Sequence, residues 1–152
     1  MLLDDTDKQL LNTLQADAHA TADTLAETIN LSPSQAGRRR QRIEASGIIT
    51  GYTARLDPAK LGLTVQAFVQ VEMASHAPAS AAGFARMVAA QRQIVGAWTM
   101  TGVADYLLRV WCADLDALNT LVHKVLLAHP SVARVHSQIV MNQLKIDAPL
   151  PT

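Results

Sequence analysis

The sequence predicts an α+β chain in two parts: three short helices closed by a small β element, then a β-α-β-β-α-β unit. Three observations carry that prediction. Apolar residues recur at helical spacing in the first part, as Leu10, Leu11 and Leu14 and again as Leu25, Ala26 and Ile29. A joint containing Pro and Gly, DPAKLGL, occupies residues 57–63. Beyond it TVQAFVQVEM (64–73) alternates strictly, with Val65, Ala67, Val69, Val71 and Met73 on one face. We therefore expect one domain over 1–56, a linker over 57–63 and a second domain over 64–152.

The elements follow in order. Asp and Thr residues open the first helix. The second starts at Thr21, with Ala22, Leu25, Ala26 and Ile29 on its inner face, and Asn30-Leu31 turns the chain. The third has the clearest start: Ser32 as N-cap, Pro33 at the first helical position and Gln35 at the third, an S-x-x-Q capping box. It ends near Ser46, where Gly47 supplies a left-handed residue. Ile48-Ile49-Thr50 reads as extended, and Gly51 permits a turn. In the second part, residues 79–91 form an alanine-rich helix with Phe84, Met87 and Val88 inward. IVGAWTM (94–100) and DYLLRVWCA (105–113) are strands. Asp114 caps a helix containing Leu115, Leu118, Leu121, Val122, Val125 and Leu126, which Pro130 ends. VARVHSQIVMNQLK (132–145) is a last long strand. This order is the ferredoxin-like split βαβ arrangement. Its sheet carries helices on one face only, and a second copy of the chain would cover the other.

The bulk properties exclude several classes. Of 152 residues, 49% are hydrophobic and 17% charged, which supports a folded core and argues against disorder. No apolar run approaches the ~20 residues of a spanning helix, so no membrane partner is expected. MLLDDTDKQLL is acidic and does not resemble a signal peptide. Cys112 is the single cysteine, which excludes an internal disulfide and suggests a cytoplasmic protein with a small buried hydrophobe at that position. His123, His129 and His136 have spacings that match no compact ligand motif, so no metal is expected. No phosphate-cradling glycine loop is present, and we expect no cofactor. Trp98, Trp111, Phe68 and Phe84 read as packing.

Charge is unevenly placed. Thirteen basic residues balance thirteen acidic ones. Six acids (Asp4, Asp5, Asp7, Asp17, Asp23, Glu27) and one base, Lys8, lie in residues 4–30, whereas 31–43 hold Arg38, Arg39, Arg40 and Arg42 and no acid. On a helical wheel Ala36 and Ile43 point inward. Ser34, Gln35, Arg38 and Arg42 point outward, flanked by Arg39 and Gln41. Hydroxyl, amide and guanidinium groups on one face suit a major groove, where arginine meets guanine and glutamine meets adenine. The helix N-terminus adds N–H groups for a phosphate. Three short helices with a cationic third suggest a helix-turn-helix that binds double-stranded DNA. Arg40 lies toward the apolar side; its stem would follow the core and its head would reach Glu44 or an acid of another helix.

Together these motifs resemble the Lrp/AsnC, or feast/famine, family of transcription regulators. The markers are Leu3-Asp4-x-x-Asp7, LSPS (31–34), RRRQRIEASGII (38–49), GYTARLDPAKLGL (51–63), TG (101–102) before DYLLRV (105–110), and HPSV (129–132). Their order and spacing span nearly the whole chain. The resemblance implies a winged helix-turn-helix joined to a ferredoxin-like ligand-binding and assembly domain. It implies dimers that build to octamers or similar rings, a palindromic operator and an amino-acid effector. By the same resemblance Ser32, Ser34, Gln35, Arg38, Arg39 and Arg42 face DNA, and Thr101, Gly102, Val103, Ala104 and Asp105 form the effector loop. Two departures stand out. Arg40 occupies a position usually apolar in the family. The loop that reads Gly-Asp-Tyr-Asp in many members is here Gly102-Val103-Ala104-Asp105, which favours an apolar effector or none. Two alternatives are a tetrapyrrole-processing enzyme of the same architecture and a sensing module without DNA binding.

Overall fold

The computed structural model describes residues 2–146 and 148–152. The chain divides into two compact units, one of Met1–Arg55 with Leu144–Thr152 and one of Leu56–Gln143. The segment after Leu144 therefore groups with the helical unit, where the sequence places it in the second domain.

In the helical unit, α1 spans Asp5–Ala16, α2 Ala22–Ile29 and α3 Pro33–Ala45. Each start is held by a side chain that satisfies an otherwise orphaned N–H. Asp4 accepts from the Asp7 backbone, Thr21 from Thr24, and Ser32 from Gln35. α2 ends on Asn30, whose φ of 52° puts it in the left-handed region that Asn tolerates better than most residues. Gly47, at φ 76°, closes the end of α3. Leu10, Leu11, Leu14, Ala20, Leu25, Ala26, Ile29, Ala36 and Ile43 form the buried core. Ala22, expected on the inner face, is exposed, because the first turn of α2 projects beyond the packing that begins at Leu25. Ile48-Ile49-Thr50, expected as a β element, joins no sheet among the described residues. Ile49 instead packs against the helical core. The C-terminal segment lies along α1: the Leu150 backbone N–H donates to Gln15 Oε1 (2.6 Å), Gln15 Nε2 donates to the Leu150 carbonyl (3.1 Å), and Thr152 Oγ1 lies 2.7 Å from Asn12 Oδ1.

The second unit begins with a single 3₁₀ turn at Ala59–Leu61, closed by Gly62 at φ 76°. Then come β1 (Val65–Met73), α4 (Pro78–Ala90), β2 (Ile94–Thr99), β3 (Tyr106–Cys112), α5 (Leu115–Thr120) and β4 (Val132–Ile139). α5 runs on as a π-helical stretch, Leu121–Leu126, in which the Leu127 N–H reaches the Val122 carbonyl at 2.9 Å. The wider turn carries Leu121 and Leu126 into the core. The sheet order is β2-β3-β1-β4, all antiparallel, the expected ferredoxin-like topology. Ala67, Val69, Val71, Met73, Leu108, Val110 and Cys112 face the helices and meet Phe84, Leu118, Leu121 and Leu126. β4 stops at Ile139, short of the expected 145. Its partner sets that end: Ala67 pairs with Ile139, the Val140 N–H bonds the Gln66 carbonyl, and β1 offers nothing before Val65.

Cross-strand pairing also fixes the face away from the helices. One row runs Trp98, Leu107, Gln70, His136, and the next Gly96, Arg109, Phe68, Gln138. Trp98 is half exposed, and its ring lies so close over Gly96 that a Cβ there would come within 2.5 Å of it.

Candidate functional site

α3 carries the candidate DNA-facing residues on a rigid, sharply started helix. Ser32 and Gln35 complete the predicted capping box: the Ser32 N–H donates to Gln35 Oε1 (3.0 Å), and the Gln35 N–H donates to Ser32 Oγ (3.3 Å). Ser32 Oγ also donates to Gln35 Oε1 (2.9 Å). The acceptor end of Gln35 is thereby filled, which leaves the amide nitrogen as its donor. A glutamine bound this way offers a donor, which suits a guanine edge or a phosphate better than bidentate pairing with adenine. Ser34, Arg38 and Gln41 are exposed beside it. Gln41, absent from the predicted set, shares this face, and its flanking position on the wheel was the available signal.

The arginines separate into three environments. Arg38 makes one intrahelical bond, Nε to the Ser34 carbonyl at 3.4 Å, and has no carboxylate partner among the described residues. Arg39 Nη1 sits 2.8 Å from Asp4 Oδ2 and 2.7 Å from Asp7 Oδ1. Arg42 Nη2 lies 2.7 Å from both oxygens of Asp7. Asp7 is 1% exposed, whereas the Arg42 side chain is 51% exposed. The hydrogen bond from Arg39, with the Asp7 backbone N–H, holds the Asp4 carboxyl below its usual range. The sequence shows no acid within 31–43 and suggests a carboxylate partner for Arg40 alone. The structure corrects this, because α1 folds back to supply Asp4 and Asp7 across 32 to 35 residues of chain.

Arg40 behaves as its wheel position predicts. Its Nε bonds Glu44 Oε1 at 2.9 Å, Nη1 bonds the Ala20 carbonyl at 3.1 Å, and the guanidinium lies 5.4 Å from the Tyr52 ring centre. The Tyr52 hydroxyl donates to Glu44 Oε1 at 2.8 Å. These two donors, Arg40 first, lower the Glu44 pKa, and burial raises that of Tyr52.

In the second unit a cavity of about 250 Å³ is lined by Met73, Ser75, His76, Ala81, Thr99, Met100, Asp105 and Tyr106. Of the five predicted effector residues only Asp105 lines it. Thr101, Gly102 and Val103 are exposed, with Gly102 at φ 115° and Val103 at the tip of the turn. Asp105 is already engaged: Oδ2 accepts from the Met73 N–H at 2.6 Å, and Oδ1 lies 3.4 Å from His76 Nδ1. Met73 and Thr99 close β1 and β2 and Met100 follows at once, a grouping at strand ends that alternation alone does not reveal. Nothing in the sequence marks His76. Cys112 is buried, and desolvation pushes its thiol pKa up. Among the described residues no cluster of His, Cys, Asp or Glu could hold a metal, and no helix is long and apolar enough to cross a membrane.

Two family models match the chain, the AsnC-type helix-turn-helix domain over residues 3–44 and the Lrp/AsnC ligand binding domain over 66–150. This chain belongs to the Lrp/AsnC family. This Lrp/AsnC protein is similar to the DNA-binding transcriptional activator DecR of Escherichia coli, with 34% identity over 99% of each chain. It is also similar to the glutamate uptake regulatory protein of Zymomonas mobilis, with 32% identity over 98% of this chain and 90% of that one. Among solved structures, a transcriptional regulator from Neisseria meningitidis in complex with L-Met superimposes with a TM-score of 0.94. The two share 33% identity over 99% of this chain and 97% of that one. The Lrp/AsnC fold and its helix-turn-helix make this protein a DNA-binding transcription regulator.

Proposed function

We propose that this Lrp/AsnC protein reads DNA through the exposed face of α3 and answers to a small amino acid bound in its second unit. The capped start of α3, with Ser34, Gln35 and Arg38 outward and Arg38 without a carboxylate partner among the described residues, is the observation that carries the DNA reading. A guanidinium in that position meets a guanine edge or a phosphate, so binding weakens steeply with salt. The protein acts as a homodimer, and as larger rings of dimers, in the cytoplasm. The partly apolar sheet face with Trp98, Leu107 and Phe68 meets a second copy, and two copies of α3 address the halves of a palindromic operator.

The effector is an amino acid with an apolar side chain. Met73, Met100 and Tyr106 provide the apolar wall of the cavity, and Asp105 with His76 supplies its polar end. The L-Met complex of the Neisseria regulator supports this choice. The departures Val103 and Ala104 remove an acid and an aromatic from the loop, but both lie outside the cavity lining.

One experiment tests both halves. The protein is used to select duplexes from a random-sequence pool, and binding to the winner is then titrated with salt and with each of the twenty amino acids. We expect enrichment of one motif with two related half-sites, and an affinity or assembly change with an apolar amino acid that Asp105→Asn weakens. A pool without enrichment overturns the DNA reading; enrichment with no response to any amino acid overturns the effector alone.

A further inference from the structure

We infer that Asp7 of α1 is the positioning residue of the recognition helix, holding Arg39 and Arg42 against α1 so that they seat α3 and do not read bases. The inference rests on the reading of α3 as the DNA-facing helix, and it removes two residues from the predicted DNA set. Asp7 is 1% exposed, and its carboxylate receives contacts of 2.7 Å from both arginines. Its bond to the Asp4 N–H in the capping box is long, at 3.4 Å, so the arginines are its principal partners.

A carboxylate removed from water is tolerated only when paired and hydrogen-bonded. If Arg39 and Arg42 both left to meet phosphates, a buried anion would lose its compensation, and exposed phosphate contacts would not repay that loss. Asp4 reinforces the arrangement by taking Arg39 Nη1 at 2.8 Å. The middle of α3 is thereby tied to the first turn of α1. Arg38 is built differently, with no acid to leave among the described residues, and is available to DNA.

The test compares Asp7→Asn and Arg38→Ala on a duplex selected by the wild-type protein and on a scrambled duplex of the same composition, over a range of salt. With the fold verified by circular dichroism, Asp7→Asn should lose affinity for the selected duplex by about tenfold, the scale of one base-reading contact. Its affinity for the scrambled duplex should hold or rise, because two cations are released. Arg38→Ala should weaken binding to both and lower the salt slope by about one. If Asp7→Asn tightens both duplexes and keeps their ratio, Arg39 and Arg42 are DNA ligands and the inference falls. If the wild-type protein prefers neither duplex, the DNA reading itself falls with it. Should Asp7→Asn fail to fold, Arg39→Ala decides: it removes the cation whose Nη1 bridges Asp4 and Asp7, and it lowers the salt slope by about one only if that cation meets a phosphate. A lost ratio with an unchanged slope supports positioning, and a retained ratio or a lowered slope overturns it.

Discussion

At the scale of single residues, the four arginines differ more than their adjacency suggests. Arg40 was legible in the sequence because one partner, Glu44, lies a single helical turn away. The partners of Arg39 and Arg42 were not, because Asp4 and Asp7 approach only once α1 has packed. The filled acceptor of Gln35 was hidden for a related reason: a capping box is visible as a pattern, but its cost to base reading appears only with the atoms placed. These pairs have an acid signature. Arg39 lowers the pKa of Asp4 and Arg40 lowers that of Glu44, so each carboxylate binds protons more weakly in the folded state. The stability they contribute is complete above the ordinary carboxylate range and is lost as pH falls through the lowered values. The helical signal should therefore melt at a constant temperature from pH 7 to 5 and at a falling one below about pH 4. The double variant Asp4→Asn, Glu44→Gln should show a smaller fall over the same interval. An equal fall would show that other groups govern acid unfolding.

At the scale of elements, helix starts, strand alternation and the Gly47 end of α3 were read correctly, whereas the end of β4 was not. α3 begins where Ser32, Pro33 and Gln35 say it does, because capping chemistry is local. β1 shows the predicted period of two, because one face packs on helices and its side chains must alternate. β4 ends six residues before the expected 145, because its length depends on β1 and not on its own composition. The β element at 48–50 failed for the same cause: apolar content alone does not supply a neighbouring strand. The small helical core makes the caps matter. Ser32→Ala should cost about 1 kcal/mol. In a unit of this size that lowers the melting temperature by roughly 4–8 °C, measurable by circular dichroism. A shift under 1 °C would show that the Ser32–Gln35 pair adds nothing beyond solvent.

At the scale of the whole molecule, the two units differ in how they are tied to the sequence. The ferredoxin-like unit is continuous from Leu56 to Gln143 and its topology was predictable from element order alone. The helical unit is assembled from both ends of the chain, which no periodicity announces. Leu150 and Thr152 reach Gln15 and Asn12 through polar bonds that the sequence gives no reason to pair. A single protease cut within 57–63 should therefore yield two pieces that elute together from a sizing column, held by the C-terminal segment on α1. Gln15→Ala should let them part more readily, and fragments that separate at once would show that the segment is not docked. The linker is also the wrong place to divide the gene. A piece ending at 56 strips Gln15 and Asn12 of their partners in the C-terminal segment, so the smallest faithful version of the DNA-binding unit is one in which residues 144–152 are spliced back on.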